Sequence, residues 1–180
     1  MGLEDQRDRW RRIERTRPRD IPTPGPGQES VWDYPRPPRV EDVPSRVRVL
    51  FAAAVVADSV RTKRVIETSS PPVYYIPHDD VRSELLAASE HWTLCEWKGI
   101  ARYFDLRVEE RLAENAAWTY PEPDTDFTSI RDCIAFHAGR VDQCWVGDER
   151  VTPQPGTYYG GWITPNLVGP FKGEPGTERW

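Results

Sequence analysis

An apolar period of two limits this chain more than any other feature. Across Ile100 to Val108, the residues Phe104, Leu106 and Val108 alternate with Tyr103, Asp105 and Arg107. One set must face a core and the other must face away, as on a strand. After the Glu109-Glu110 turn, Arg111 to Tyr120 returns as the partner strand. Val47, Val49 and Phe51 alternate with Arg46, Arg48 and Leu50, and the run on to Val60 reads as a hairpin. Arg64 to Thr68 and Val73 to Ile76 read as two further strands around the turn cluster Ser69-Ser70-Pro71-Pro72. Cys133 to His137 and Val141 to Val146 read as a last hairpin across Ala138-Gly139-Arg140. One helix is expected: Pro77-His78-Asp79-Asp80 would start it, Val81, Leu85 and either Leu86 or Ala88 would share a face, and it would stop near Ser89. About eight short strands and one short helix define a mainly β domain over residues 45–151, a compact antiparallel sandwich or partly open barrel.

The two ends read differently. Residues 1–44 form an extension in which Glu4 to Asp20 alternates arginines with acids around Leu3, Trp10 and Ile13, three apolar groups on one side of a short helix. Eight prolines from Pro18 to Pro44 then hold the chain extended. A solvated arm is expected there, with a clasp of Trp32 and Tyr34 against the body as the alternative. Residues 152–180 return to Pro, Gly and rings: Tyr158-Tyr159-Gly160-Gly161-Trp162, Phe171 and Trp180. Five rings left in water are unfavourable, so this tail should pack on the body.

Charge narrows the partners. The formal charge is -5, and the first twenty residues hold seven arginines against five acids, so the remainder sits at -7. Generic nucleic-acid binding is disfavoured by that balance. No stretch approaches the roughly 20 apolar residues of a spanning helix, and Met1 to Arg19 has no apolar leader core. A soluble cytoplasmic protein without a membrane partner is the expectation. Cys95, Cys133 and Cys144 form no C-x-x-C pair, and His78, His91 and His137 stand at no metal-ligand spacing, so neither metal nor cofactor is expected.

The candidate site lies in the stretch of about fifty residues from Glu67 to Trp118. Rings beside a carboxylate, a thiol and an amine suit a half-buried polar pocket. Glu67 follows the apolar pair Val65-Ile66 at a strand end, and an ion pair with Lys98 would let the two orient a polar ligand or act in acid–base chemistry. Cys95 stands three residues from Lys98, and a nearby ammonium favours a thiolate, the requirement for a nucleophile. A buried structural thiol is the plainer alternative, and His91 offers no convincing base. Tyr75, Tyr103, Trp118 and Tyr120 lie on different strands and become one cage only if they share a face.

The pattern Glu67, Tyr75, Pro77, Asp80, Cys95, Lys98-Gly99, Tyr103 and Trp118 resembles the bacterial domain of unknown function 427, over roughly residues 45 to 150. Members of that family commonly carry an Asn-Gly-like turn where this chain has Ala52-Ala53-Ala54. The family is catalogued as nucleotidyltransferase-like, yet the residues here do not match that machinery. Asp124-Thr125-Asp126 has the D-x-D form but lies in a proline-broken loop with no Gly-Ser partner upstream, and Gly160-Gly161 precedes no helix start.

Three functions survive. The first is a module that binds a small polar molecule in a pocket of Glu67, Tyr75, Asp80, Lys98, Tyr103, Trp118 and Tyr120. The second is an enzyme using Cys95 or the Glu67/Lys98 pair. The third is an interaction domain using the aromatic tail, in which a homodimer or partner complex would depend on the residues after Val151.

Overall fold

The computed structural model describes residues 2–180. A helix, α1 (Leu3–Arg11), opens the chain. The strands follow in order as β1 (Glu29–Ser30), β2 (Arg39–Asp42), β3 (Val47–Phe51), β4 (Ala54–Ser59), β5 (Lys63–Glu67), β6 (Ser70–Pro77), β7 (Leu86–Cys95) and β8 (Gly99–Val108). They continue as β9 (Arg111–Thr119), β10 (Cys133–Phe136), β11 (Gln143–Val146), β12 (Glu149–Arg150), β13 (Thr152–Pro153), β14 (Trp162–Ile163) and β15 (Leu167–Val168). A seven-stranded antiparallel sheet runs β2-β5-β6-β10-β9-β8-β7, and a four-stranded one runs β12-β11-β3-β4. The edges β2 and β7 do not pair, so the large sheet stays open. The fold is mainly β, as the period of two requires.

Both faces of the large sheet carry buried side chains, and the alternation along each strand decides which residue serves which face. Tyr74 and Ile76 of β6, Leu106 and Val108 of β8, Ala117 of β9, and Ile134 and Phe136 of β10 point to the small sheet, where they meet Val47, Val49, Phe51 and Val56. Their neighbours Tyr75, Tyr103, Trp118, Cys133 and Ala135 point to the opposite face. That second face carries the site.

The segment expected to be a helix is not one. After β6 the chain makes 3₁₀ turns at His78–Asp80 and Ser83–Leu85, then runs straight into β7 as the edge strand beside β8. Tertiary pairing overrides the helical spacing of Val81 and Leu85: Val81 bridges Ala57 and the Arg82 N–H donates to Val56 O at 2.8 Å. The expected last hairpin is also corrected. β10 pairs with β6 and β9, whereas β11 pairs with β3 and β12, so Ala138-Gly139-Arg140 carries the chain from one sheet to the other.

The β3–β4 hairpin turns at Ala52-Ala53, which adopt φ of 48° and 60° without a glycine or asparagine. The carboxylate of Asp142 holds the turn, accepting the Ala52 N–H at 2.7 Å while Arg111 grips it at 2.7 and 2.8 Å.

Neither end is a free arm. Trp32 and Tyr34 are buried with Val31, Ile66 and Leu167, which makes the clasp the observed arrangement. Farther out, Arg7 ion-pairs with Asp124 and donates to Glu96 O at 3.3 Å, while Arg15 pairs with Glu96 at 3.1 Å. In the tail, the Trp162 ring is fully buried, stacks on Tyr74 at 4.9 Å and donates its N–H to Phe136 O at 2.8 Å.

Candidate ligand-binding site

The second face of the large sheet encloses a cavity of about 300 Å³. Its floor comes from strand positions in phase: Val65 and Glu67 of β5, Tyr75 of β6, Tyr103 of β8 and Trp118 of β9. Tyr120 follows β9, and Cys95 and Lys98 come from the hairpin joining β7 to β8. Seven of the eight sequence candidates therefore meet: Glu67, Tyr75, Cys95, Lys98, Tyr103, Trp118 and Tyr120. The rings do share a face, with Tyr103 and Trp118 stacked at 6.1 Å and Tyr75 and Tyr120 tilted at 6.3 Å.

Asp80 does not belong to this group. The 3₁₀ turn at His78–Asp80 sends its carboxylate toward β4, where it accepts from Ser59 Oγ at 2.6 Å and binds Arg61 at 2.6 Å. Those partners hold its pKa below the usual carboxylate range, Arg61 foremost.

The Glu67/Lys98 pair is not formed either. Glu67 pairs instead with Arg36 at 3.1 Å, a residue of the proline-rich extension whose guanidinium also donates to Thr68 O at 2.8 Å. Lys98 is 9 % exposed, and its ammonium lies 5.6 Å from the Tyr120 ring and 5.9 Å from the Phe127 ring. Among the described residues no carboxylate comes within 4.0 Å of it. Burial acts to lower the Lys98 pKa, but its acidic neighbours and a hydrogen bond with the Cys95 side chain act the other way, and the pKa is raised. Lys98 is thus a buried cation at neutral pH.

The hairpin geometry explains how a lysine reaches this position. Cys95 pairs with Gly99, leaving Glu96-Trp97-Lys98 as a three-residue loop closed by Gly99 at φ 97°. That left-handed conformation suits glycine, and the Lys98 carbonyl is pinned by the Asp124 N–H at 3.2 Å.

The phenols are neutral donors. Burial pushes Tyr75 up to about 12 and Tyr120 well above its ordinary value. Tyr103 is also raised by burial, and its hydroxyl meets Thr93 Oγ1 at 3.1 Å. Cys95 is half-buried and lines the cavity. His91, its neighbour in sequence, stands outside against the Tyr103 ring at 4.6 Å.

Sequence reasoning missed the walls. Trp10 and Arg15 come from the first extension; Gln154, Tyr158, Tyr159 and Lys172 come from the tail. The paired rings Tyr158-Tyr159 were the available signal. His137, just past β10, closes one side with its ring 5.0 Å from Trp118, and burial, with Arg140 adding to it, drops its pKa to about 4. Lys172 is 7 % exposed and lies 5.2 Å from the Tyr159 ring; burial first, then Arg15, lowers its pKa to about 8.

The D-x-D segment is committed elsewhere, since Asp124 is taken by Arg7 and, at 3.5 Å, by Arg11. Among the described residues, no three His, Cys, Asp or Glu side chains gather as a metal site, and no helix is long and apolar enough to cross a membrane.

A family model described as a domain of unknown function (DUF427) matches residues 39–147. The chain belongs to that family. A search of curated proteins finds no match.

Proposed function

We propose that this protein binds a small polar molecule in the aromatic-walled cavity on the outer face of its large sheet. The observation that carries this reading is the convergence of Tyr75, Tyr103, Trp118 and Tyr120 around a buried lysine in a space of about 300 Å³. That volume lies at the small end of the range for ligand pockets, and its few polar groups among rings are what fixes a ligand's orientation. A reducing cytoplasmic setting is the proposed compartment, supported by three cysteines that stand unpaired. The test is a thermal-shift screen of metabolites. A ligand at a hundred times its dissociation constant stabilises by about 2.7 kcal/mol, on the order of 5–10 °C in a chain of this size. A screen in which no small molecule raises Tm would sink the reading.

One observation favours a second reading, an enzyme using Cys95: its thiol lines the same cavity as the buried Lys98, three residues away in the same hairpin. Rapid single-site alkylation of Cys95 by iodoacetamide, blocked by a bound ligand, would support it. Alkylation no faster than that of a free thiol would remove it.

A further inference from the structure

The charges around the cavity say what kind of molecule it takes, on the reading that the cavity is a binding site. Three cations and three carboxylates line it: Arg15, Lys98 and Lys172 against Glu67, Glu96 and Glu178. Two of the carboxylates are already used, Glu96 by Arg15 at 3.1 Å and Glu67 by Arg36 at 3.1 Å. Glu178 is exposed at the rim, where it accepts the Gly176 N–H at 3.1 Å. The two buried lysines remain. Lys172 has one oxygen contact, the main-chain oxygen of Trp180 at 3.4 Å, and Lys98 has the rings of Tyr120 and Phe127 and the Cys95 side chain.

A ring face attracts an ammonium but does not replace a counter-ion where water is largely excluded. The phenols of Tyr75 and Tyr120, on the same face, keep their protons at neutral pH and so can donate to an anion held there. An enclosed cation with hydroxyl donors around it is complementary to an anion.

We propose that the cavity takes a compact organic anion, with its carboxylate or phosphate on the Lys98 ammonium and its flat apolar body against the rings of Trp118, Tyr103 and Tyr159. Lys172 supplies the second positive wall. The size fits one ring or a fused pair of rings carrying a short acidic arm.

The experiment is calorimetric titration of the full chain with matched probes: phenylacetate, indole-3-acetate and 1-naphthylacetate, their primary amides, the corresponding ethylamines, and phenyl phosphate. At least one acid should bind ten times or more tighter than its amide, and its amine should not bind. Phenyl phosphate against phenylacetate tells which anionic group is read. Lys98→Met should bring the acid down to the level of the amide, while Lys98→Arg keeps the preference. Should Lys98→Met fail to fold, Lys172→Met decides, with a loss of severalfold for the acid and none for the amide. Amides that bind as tightly as acids would leave the pocket standing and overturn the anion. Tighter binding of the amines would do the same. No binding by any probe would overturn both. Cys95→Ala closes the remaining route: a gain of tenfold or more in acid affinity would show that the Cys95 sulfur, not a ligand, balances Lys98, and the proposal would fall.

Discussion

Gly160 lies flat against the indole of Trp118. A Cβ built on Gly160 would stand 2.8 Å from Cζ3 of that ring and nearer still to Cη2, with His137 at 3.4 Å behind it. The tail can therefore cover the cavity only through a residue without a side chain, and it lies directly on the indole of the floor. Gly160→Ala should cost about 1–3 kcal/mol, the usual range for overpacking, and push the ring into the cavity. Paired thermal melts and tryptophan fluorescence check this, and an unchanged Tm with an unchanged emission maximum would show that the tail yields instead.

The electrostatic partner of Glu67 is Arg36, not Lys98. A double-mutant cycle on Arg36→Gln and Glu67→Gln should give a coupling of about 1–2 kcal/mol, between exposed and fully buried pairs, because the two side chains are 17 % and 23 % exposed. The cycle on Glu67→Gln and Lys98→Met should give a distinctly smaller coupling. The reverse ranking in urea melts would contradict the geometry.

His137 makes stability depend on pH. The folded imidazole has its pKa lowered to about 4 from 6.5, so between these values the unfolded chain binds a proton that the folded one refuses. Stability should be full above about pH 6.5 and decline as pH falls toward 4. The gap is worth about 3 kcal/mol. His137→Gln should lose that share of the slope, read as the wild-type minus variant difference across pH 4 to 7. A difference that stays flat would mean that the folded imidazole takes up its proton as readily as the unfolded one.

Ala52 and Ala53 hold left-handed conformations that alanine adopts at a cost of roughly 1–2 kcal/mol. Ala53→Gly should raise stability by up to about 1 kcal/mol, since the turn geometry is already set by Asp142. Asp142→Asn, which weakens the clamp on Ala52 N–H and Arg111, should lower it. Chemical denaturation of both variants tests the pair.

Removing residues 2–17 deletes the ion pairs of Arg7 and Arg15. Tm should fall by about 2–8 °C, the shift expected for a loss of about 1–2 kcal/mol in a chain of this length, with the sheets retained by circular dichroism. No change in Tm would return this segment to a solvated arm.

Much of the fold was legible because a strand with one defined inner face writes its period into the sequence. Phe104, Leu106 and Val108 declare one face of β8, and Tyr103 declares the other. β7 hid itself for a local reason: its register against β8 jumps from Ala88 opposite Phe104 to Trp92 opposite Arg102, so Ser89-Glu90-His91 bulge out and break the phase. With no alternation to read, the helical spacing of Val81 and Leu85 prevailed. The site divided in the same way. Its floor residues sit on strands whose facing could be inferred. The partner of Glu67 and the walls from Trp10 to Lys172 come from chain far away in sequence, and no spacing rule joins Arg36 to Glu67. Asp80 failed because the turn that carries it bends toward β4.

The cavity has two origins along the chain. Its floor, from Val65 to His137, falls inside the residues 39–147 that the family model matches, while Trp10, Arg15, Tyr158, Tyr159, Lys172 and Glu178 fall outside it. A chain with the same floor side chains and different ends would lose this mouth. On the proposed binding reading, the strands inside the family match would supply the socket and the ends outside it the collar, so a change at the ends would alter ligand choice with the strands untouched.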